Sequence, residues 1–345
     1  MIDNNLIIKG DNIKGMNWLL ENGYEDKIDL VYIDPPFATG GTFGIDRNGR
    51  IATISKSKDA NIAYTDNLQG KDFIEWLRKR IVLIHRLLSP RGSLYLHIDY
   101  KIGHYVKVML DEVFGIENFR NDITRIKCNP KGFYRVGYGN IKDMILFYSK
   151  GAKPIWNDIQ IPCSEEDIAK RYNKIDKQGR RYTTVPIHAP GETKDGSTSQ
   201  AFRGTYPPKG RHWRSSIDEL ERLDDMGLIE WSANGNPRKI NYADDHLAKK
   251  QQDIWEYKDP IYPIYPTEKN LDMLKYIVQN SSNPDSIVLD CFCGSGSTLL
   301  AADLCERRWI GIDKSDIAIS VTRKRMNCNS IFNSDLFDFI DISVD

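Results

Sequence analysis

The sequence predicts an α/β protein with a doubly wound, mostly parallel sheet that is split by an inserted domain. In residues 1–150 and again after residue 263, apolar strand-like segments alternate with helix-like ones, as in parallel sheets covered by helices. Between them the alternation stops in a stretch rich in Pro, Gly, Arg, Lys and aromatic residues. With 345 residues, 40% of them hydrophobic, the chain is long enough for two domains.

Each element of the regular fold follows from the spacing of its apolar residues. Runs of adjacent apolar residues predict strands, and recurrence every three or four residues predicts helices. The first half, 1–150, is expected to hold strands at 6–8, 30–33, 93–98 and 144–148 and helices around 18–20 and over 73–88 and 106–114. The second half, 263–345, is expected to hold helices over 271–280 and 317–326, strands at 287–289 and 309–312, and an acidic tail. Residues 151–262 form the expected insertion.

Residues 38–68 differ from their surroundings, because glycine and small polar residues replace the apolar pattern. A loop of this length inside a compact domain is usually functional, and this one directly follows the first candidate site. We expect a lid there.

Charge and cysteine content exclude several classes of protein. The 48 basic residues balance 48 acidic ones, so the chain has no uniformly basic surface. Six scattered cysteines without a C-x-x-C pair indicate neither a zinc site nor a disulfide framework, and no metal is expected. The sequence shows no signal peptide, and no apolar run reaches the ~20 residues of a membrane span, so we expect a cytoplasmic protein.

Asp34-Pro35-Pro36-Phe37 directly follows the apolar run at 30–33. Open α/β sheets place their chemistry at the carboxyl ends of such strands. Each proline disfavours helix in the residue before it and has no N–H to donate, so the segment should be extended. This leaves the Asp34 carboxylate and the Pro35 carbonyl as two acceptors beside the ring of Phe37. Such a cluster suits a planar amine, for instance the exocyclic amine of a nucleobase.

A second motif, Asp-Cys-Phe-Cys-Gly-Ser-Gly-Ser-Thr, occupies residues 290–298 between a predicted strand and a predicted helix. Glycines permit tight turns and close approach of a ligand, and a helix N-terminus offers free N–H groups. Only Gly294 and Gly296 match G-x-G-x-x-G, so a nicotinamide cofactor is disfavoured, and the absence of G-K-[ST] excludes a Walker A loop. Asp313 ends the next strand, in the place of a ribose-binding acid, although it could also cap the following helix.

With these two motifs in this order, the chain resembles the β-class S-adenosylmethionine-dependent DNA amino-methyltransferases, which carry D-P-P-[YF] and F-x-G-x-G. The resemblance extends to Gly10-Asp11, Tyr64 and residues 266–269. It implies a Rossmann-like methyltransferase sheet, circularly permuted, with a target-recognition domain between the catalytic half and the cofactor-binding half. Three positions depart from the family pattern, in which two prolines and a threonine are usual: Cys291, Asn270 and Ser297.

The resemblance implies methylation of adenine N6, as in type II and type III restriction-modification systems. An adenine flipped out of double-stranded DNA would stack on Phe37, while Asp34 and the Pro35 carbonyl accept its two amine hydrogens. The catalytic residues implied are Asp34, Pro35, Pro36 and Phe37. The S-adenosylmethionine-binding residues implied are Asp290, Phe292, Gly294, Ser295, Gly296 and Thr298, with Asp313 at the ribose, Asp11 at the adenine end, and Thr267 and Lys269 beside the methionine part.

Several alternatives stay open. Cytosine-N4 enzymes use the same amine chemistry but typically have Ser in the place of Asp34. A methyltransferase fold retained only as a DNA-binding specificity module is a second alternative, and RNA or a protein glutamine would offer the same amine chemistry. A cytosine-C5 enzyme is disfavoured, because Pro162-Cys163 lies outside the regular fold. The resemblance leaves open whether the chain forms a homodimer and whether a cognate restriction endonuclease accompanies it.

Residues 169–214 of the insertion hold eleven Lys and Arg against three acids, a net charge of +8, with aromatic residues interleaved. This pattern is typical of nucleic-acid-binding surfaces, and a merely solvated face is the plainer interpretation. We expect DNA contacts from Arg180, Arg181, Lys209, Arg211, Trp213 and Arg214, although Trp213 could equally belong to the core. Three histidines are expected to pack or cap rather than catalyse: His85, His97 and His188.

Overall fold

The computed structural model of the chain describes residues 4–36, 42–45, 51–53, 61–65, 70–130, 132, 136–193, 196–245, 247–260, 268–329 and 337–343. The chain forms two compact units, of which the first combines Met1–Ile159 with Gln251–Asp345 and the second is Gln160–Lys250. The second unit is shorter at both ends than the segment 151–262 expected from the sequence.

Strands and helices alternate through the first unit, whereas short strands dominate the second. In chain order the strands are β1 (Asn5–Lys9), β2 (Ile28–Ile33), β3 (Thr42–Ile45), β4 (Ile51–Thr53), β5 (Asn61–Thr65), β6 (Leu88–Ile98), β7 (Phe119–Ile126), β8 (Lys142–Ser149), β9 (Gln160–Pro162), β10 (Lys174–Ile175), β11 (Arg181–Pro186), β12 (His188–Pro190), β13 (Arg211–Trp213), β14 (Ile229–Trp231), β15 (Pro237–Tyr242), β16 (Ala248–Lys250), β17 (Ile254–Trp255), β18 (Ile287–Asp290), β19 (Arg308–Asp313) and β20 (Phe337–Asp341). The helices are α1 (Asn12–Glu21), α2 (Gly70–Leu87), α3 (Tyr100–Phe114), α4 (Glu165–Arg171), α5 (Ile217–Asp225), α6 (Leu271–Ser281), α7 (Ser297–Leu304) and α8 (Asp316–Asn329), with a 3₁₀ turn at Ile116–Asn118. Among the residues that the structure describes, none of these helices combines the length and apolarity needed to cross a membrane.

A central sheet organises the first unit, and its described strands stand in the order β17-β7-β8-β6-β2-β18-β19-β1-β20. Neighbouring strands run parallel, except that β8 runs antiparallel to both β6 and β7. Leu94, Leu96 and Ile98 of β6 point to one face of the sheet and Tyr95 and His97 to the other, and all five are at most 2% exposed, as expected for a strand covered on both faces. The predicted doubly wound, mostly parallel sheet is confirmed.

Two aspartates define where strands of this sheet give way to helices. Asp11 follows β1 and accepts the N–H of Ile13 at 2.8 Å, and Asp99 follows β6 and accepts the N–H of Lys101 at 2.9 Å. Both acids have extended backbone and act as N-caps. The turns after these strands are therefore short, and α3 begins well before residue 106, where the apolar spacing placed its start.

Three segments differ from the expectations. The expected acidic tail contains β20, which pairs in parallel with β1 at the edge of the sheet. Strand β7 was not predicted, because Asn121 and Asp122 interrupt its apolar pattern. The expected lid at 38–68 lies partly outside the described residues, but its described parts, β3, β4 and β5, form an antiparallel sheet in the order β4-β3-β5.

The second unit has its own core. Its four-stranded antiparallel sheet has the order β10-β11-β15-β14, and β12 pairs with β13 as a separate hairpin. Trp213 of that hairpin packs with Phe202 and with Leu220 and Leu223 of α5. The Phe202 ring also stacks on Trp231, with 5.5 Å between ring centroids.

Candidate active site

Four adjacent strands of the central sheet each deliver an aspartate to the same edge. In the order β2-β18-β19-β1 these strands are parallel, so their carboxyl ends coincide. The two sequence motifs, one after β2 and one after β18, are therefore neighbours at the edge where open α/β sheets hold ligands. The acids are Asp34 after β2, Asp290 and Asp313 at the ends of β18 and β19, and Asp11 after β1.

The Asp34 carboxylate is largely buried and only half satisfied. Its Oδ2 accepts a hydrogen bond from the ammonium group of Lys269, whose side chain is 9% exposed. Its Oδ1 is buried and accepts no hydrogen bond from the described residues. The sequence-based interpretation placed Lys269 beside the methionine part of a cofactor, and the structure pairs it with Asp34. Pro35 is buried and Pro36 half-buried, whereas Phe37 and Thr267 lie outside the described residues.

The turn between β18 and α7 is built around two glycines with left-handed backbone. Gly294 and Gly296 have φ angles of 50° and 74°. A Cβ atom on Gly296 would lie 2.9 Å from Cγ2 of Thr322 in α8, so this turn has no room for a side chain. Asp313 accepts the N–H of Gly294 at 2.9 Å, and Thr322 Oγ1 donates to the Gly294 carbonyl at 2.9 Å. The turn is therefore held in a conformation that brings the N-terminus of α7 to the sheet edge.

Burial raises the proton affinity of the two acids beside this turn. Burial raises the pKa of the Asp290 carboxyl to about 7, and the negative charges of Asp34 and Asp313 act in the same direction. A hydrogen bond from the Phe292 N–H at 2.9 Å and one with Thr298 oppose this shift. Burial also raises the pKa of Asp313. Both carboxyls therefore favour a ligand that brings positive charge or hydrogen-bond donors.

A buried arginine of α8, which the sequence did not predict, ties the glycine turn to the segment before α6. Arg325 donates to Ser297 Oγ at 2.6 Å and also pairs with Glu268. Ser295 Oγ lies 3.2 Å from Ser297 Oγ. Because Glu268 precedes Lys269, the same contacts help to place the partner of Asp34. No motif marks Arg325, which lies 28 positions after Ser297.

Arg80 of α2 is a second unpredicted contact, at the first strand. Its Nε donates to Asn12 Oδ1 at 2.7 Å, and its Nη2 lies 3.4 Å from Asp11 Oδ2. The guanidinium group stacks over Trp76, 3.8 Å from the ring centroid. Asn12 in turn donates to the Cys291 carbonyl at 3.2 Å. Asp11 is thereby fixed beside the turn that follows β18.

Taken together, the edge fits a ligand that joins a charged amino acid to a nucleoside. A narrow glycine turn, a helix N-terminus and acids of raised pKa can bind the amino-acid part, and Asp313 and Asp11 lie further along the edge, where a ribose and a base would follow. Among the described residues, no group of three His, Cys, Asp or Glu side chains is arranged to hold a metal ion.

Comparison with known proteins decides the family. The profile of the N6_N4_Mtase family, described as DNA methylase, matches residues 28–324. The chain belongs to this family of DNA methylases. The methylase is 39% identical over 346 residues to the type II methyltransferase M.EcaI of Enterobacter cloacae, an alignment that spans 99% of the chain and 72% of M.EcaI. The prediction of a DNA methyltransferase is confirmed.

Two further comparisons bear on length and fold. The methylase is 25% identical over 327 residues to the StyLTI Mod subunit, from a type III restriction-modification enzyme of Salmonella typhimurium. The alignment covers 85% of the chain but only 49% of that subunit, so the methylase spans about half of it. In fold it is similar to TTHA0409 of Thermus thermophilus, solved with S-adenosyl-L-methionine, with a TM-score of 0.50, 13% identity and coverage of 99% and 100%.

One predicted DNA contact of the methylase is wrong. Trp213 is 1% exposed, and its indole N–H donates to the Gln200 carbonyl at 2.9 Å. Because the ring packs inside the core of the second unit, neither face is open to a base. Trp213 is a core residue.

The other residues predicted to contact DNA are exposed, but they differ in whether a neighbouring acid neutralises their positive charge. Arg180 pairs with Asp176 at 2.9 Å and stacks over Tyr242, which neutralises much of its charge. Arg181 is exposed on β11 and donates to a backbone carbonyl. Three exposed cations lie on and beside the β12–β13 hairpin, namely Lys209, Arg211 and Arg214. Among the described residues, Arg211 and Arg214 contact His188 rather than an acid.

Proposed function

We propose that the methylase transfers the methyl group of S-adenosylmethionine to the N6 amine of an adenine in double-stranded DNA. The proposal rests on the Asp34 carboxylate, which stands at the carboxyl end of β2 beside the glycine turn after β18. Its Oδ1 is buried and accepts no hydrogen bond from the described residues. A buried acceptor is costly unless a donor reaches it, and an exocyclic amine has two hydrogens to donate.

The residues around the glycine turn would hold the cofactor. When bound, S-adenosylmethionine supplies a methyl group on a positively charged sulfur. Asp290 would receive the ammonium of its amino-acid part, and the N–H groups at the start of α7 would receive the carboxylate. Asp313 would accept the ribose hydroxyls, and Asp11 would contact the adenine end. The bare backbone at Gly296 permits this close approach.

Asp34 and the Pro35 carbonyl would orient the target amine. With both hydrogens accepted, the lone pair of the amine would point away from the two acceptors and would be free to receive the methyl group. Positioning of this kind supplies much of the rate enhancement of a direct transfer. The base must leave the duplex to reach Asp34, which costs a few kcal/mol, and stacking on Phe37 would offset part of that cost.

Adenine is favoured over cytosine by the residue that carries the chemistry. The cytosine-N4 members of the family typically have Ser where this chain has Asp34, whose mostly buried carboxylate pairs with Lys269 here. Cytosine N4 is the second candidate, because the amine chemistry is the same. A role in DNA binding alone would not require the four acids at the edge of the sheet.

We further propose that the exposed cations of the second unit bind the DNA backbone. Lys209, Arg211 and Arg214 cluster around the β12–β13 hairpin, and such cations provide the sequence-independent part of DNA affinity. The resemblance to the StyLTI Mod subunit supports a place in a restriction-modification system. The partner would then be a cognate restriction endonuclease that cuts the same unmethylated site.

The function is tested by incubating the protein with DNA and S-adenosylmethionine and identifying the methylated nucleoside. N6-methyladenine is expected, and N4-methylcytosine would overturn the assignment to adenine. Asp34→Ala should abolish transfer while the cofactor still binds. Asp29→Ala is the matched control, because Asp29 lies on the same strand and its carboxylate accepts from Ser89 at 2.7 Å. Normal transfer by Asp34→Ala would contradict the mechanism.

A further inference from the structure

A row of buried polar side chains lies behind Asp34 and crosses four adjacent strands, β2, β6, β8 and β7. Its members, one from each strand, are all at most 3% exposed. Tyr32 Oη lies 2.8 Å from His97 Nδ1, and His97 Nε2 lies 3.1 Å from Asp143 Oδ2. Arg125 Nη1 lies 3.6 Å from the same carboxylate oxygen, an ion pair without a hydrogen bond, and this Nη1 has no hydrogen-bond partner among the described residues. The proposed reaction uses none of these four side chains.

The hydrogen bonds of this row run in a fixed direction. Burial lowers the pKa of His97, so its imidazole is neutral at pH 7 and has one donor and one acceptor nitrogen. Asp143 also accepts from the Lys127 ammonium at 2.6 Å, which stabilises its ionised form. The carboxylate therefore accepts from Nε2–H of His97, and Nδ1 accepts from the Tyr32 hydroxyl. Tyr32, His97 and Asp143 are therefore each held in one orientation.

At its other end the row holds the 257–259 segment. Arg125 donates through Nε to the carbonyl of Tyr257 at 2.7 Å and through Nη2 to Asp259 Oδ1 at 2.5 Å. The carbonyl of Lys258 accepts from the side-chain amide of Asn270 at 3.1 Å. The row therefore begins two residues before Asp34, and because Asn270 follows Lys269, it is linked to Lys269 through the 257–259 segment.

A buried row of polar side chains that includes the charged pair Asp143 and Arg125 is a poor way to stabilise a sheet. Burial of a charge away from water is costly, and apolar side chains of similar volume often pack at least as stably. We propose that this row positions Asp34 and Lys269 relative to each other, and that Arg125 is the positioning residue that joins their two segments. This inference rests on the proposed function, because the geometry at stake is that of methyl transfer.

Removal of the Tyr32 hydroxyl tests one end of the row, and removal of the Tyr95 hydroxyl is the matched control. Tyr32 and Tyr95 are partners on adjacent strands and both are buried, but the Tyr95 hydroxyl lies 2.8 Å from Ser281 Oγ, outside the row. Tyr32→Phe should lower kcat for DNA methylation about tenfold with KM for S-adenosylmethionine unchanged, because small displacements of reacting groups are costly. Tyr95→Phe should change neither. Equal losses in both variants, or a loss in neither, would overturn the proposal.

Asp259→Asn tests the other end. The Asp259 side chain is 47% exposed, so the variant should fold, and Asp26→Asn is its control because Asp26 is a half-exposed acid paired with Lys150. Only Asp259→Asn should lower kcat. Because one row joins both ends, the double variant of Tyr32 and Asp259 should be no slower than its slower single variant. Losses that multiply would show that the two ends act independently, and would overturn the proposal.

Failure of the proposed function would be recognised separately. A wild-type protein that does not methylate DNA, or an Asp34→Ala variant with the wild-type rate, contradicts the function and the positioning role together. An active wild type that depends on Asp34, with normal kcat in Tyr32→Phe and Asp259→Asn, contradicts the positioning role alone.

Discussion

Lys269 donates to the Asp34 carboxylate from 235 positions further along the chain. Both side chains are mostly buried, so removal of the cation leaves a carboxylate without its compensating charge. We expect Lys269→Met to lower the free energy of unfolding by about 3 kcal/mol and to lower kcat for methylation. Lys269→Arg, which keeps the charge, should lose less of both. Urea unfolding and single-turnover methylation measure the two effects, and a Lys269→Met protein with normal stability would contradict the pairing.

Asp290 should make cofactor binding depend on pH. Its folded pKa of about 7 lies above the ordinary value of 3.8, so its contribution to stability falls as pH rises through that interval. A bound ammonium favours the ionised carboxylate, so binding of S-adenosylmethionine below about pH 7 should release a proton and tighten as pH rises. Calorimetry in two buffers of different ionisation enthalpy counts that proton. Asp290→Asn should bind more weakly and release none, and proton release equal to that of the wild type would contradict the assignment.

Gly296→Ala should weaken cofactor binding through both backbone strain and crowding. A left-handed backbone costs a side-chain-bearing residue about 1 kcal/mol, and the new Cβ would press on Thr322. Gly227→Ala is the control, because Gly227 has φ of 70° and no heavy atom of the described residues within 4 Å of the new Cβ. Backbone strain should lower the free energy of unfolding of Gly227→Ala by about the same amount, and its cofactor affinity should be unchanged. Cofactor titration and thermal unfolding compare the two, and equal affinities would count against the glycine turn as the binding site.

Lys209→Ala and Arg211→Ala should weaken DNA binding regardless of sequence. Each phosphate contact removed should lower the slope of log K against log salt by about 0.9. Arg222→Ala provides the control, since Arg222 is 57% exposed in the same unit and pairs with Glu219. Fluorescence anisotropy at several salt concentrations gives the slopes. An unchanged slope in both hairpin variants would place the DNA elsewhere.

The alternation of strands and helices and the turns after β2 and β18 were predictable because their signals are local. An apolar run followed by an acid, or by glycines and a helix, predicts a strand and the turn after it from neighbouring residues alone. Arg80 and Arg325 were not predictable, because their partners lie 69 and 28 positions away and are set by helix packing. The sequence predicts an acidic tail where the structure has the edge strand β20, because the charge of its acids masks the alternating Phe337 and Phe339. Burial of Trp213 likewise depends on a core that composition does not reveal.

The position of β2 between β6 and β18 has a consequence for synthesis of the protein. β6 leaves the ribosome soon after β2, whereas β18 follows only after the entire second unit has emerged. At common translation rates this interval is about 10 to 50 s, during which one backbone edge of β2 has no partner strand. An unpaired apolar edge invites association with other chains. We therefore expect nascent chains of the methylase to need protection by chaperones until β18 has emerged.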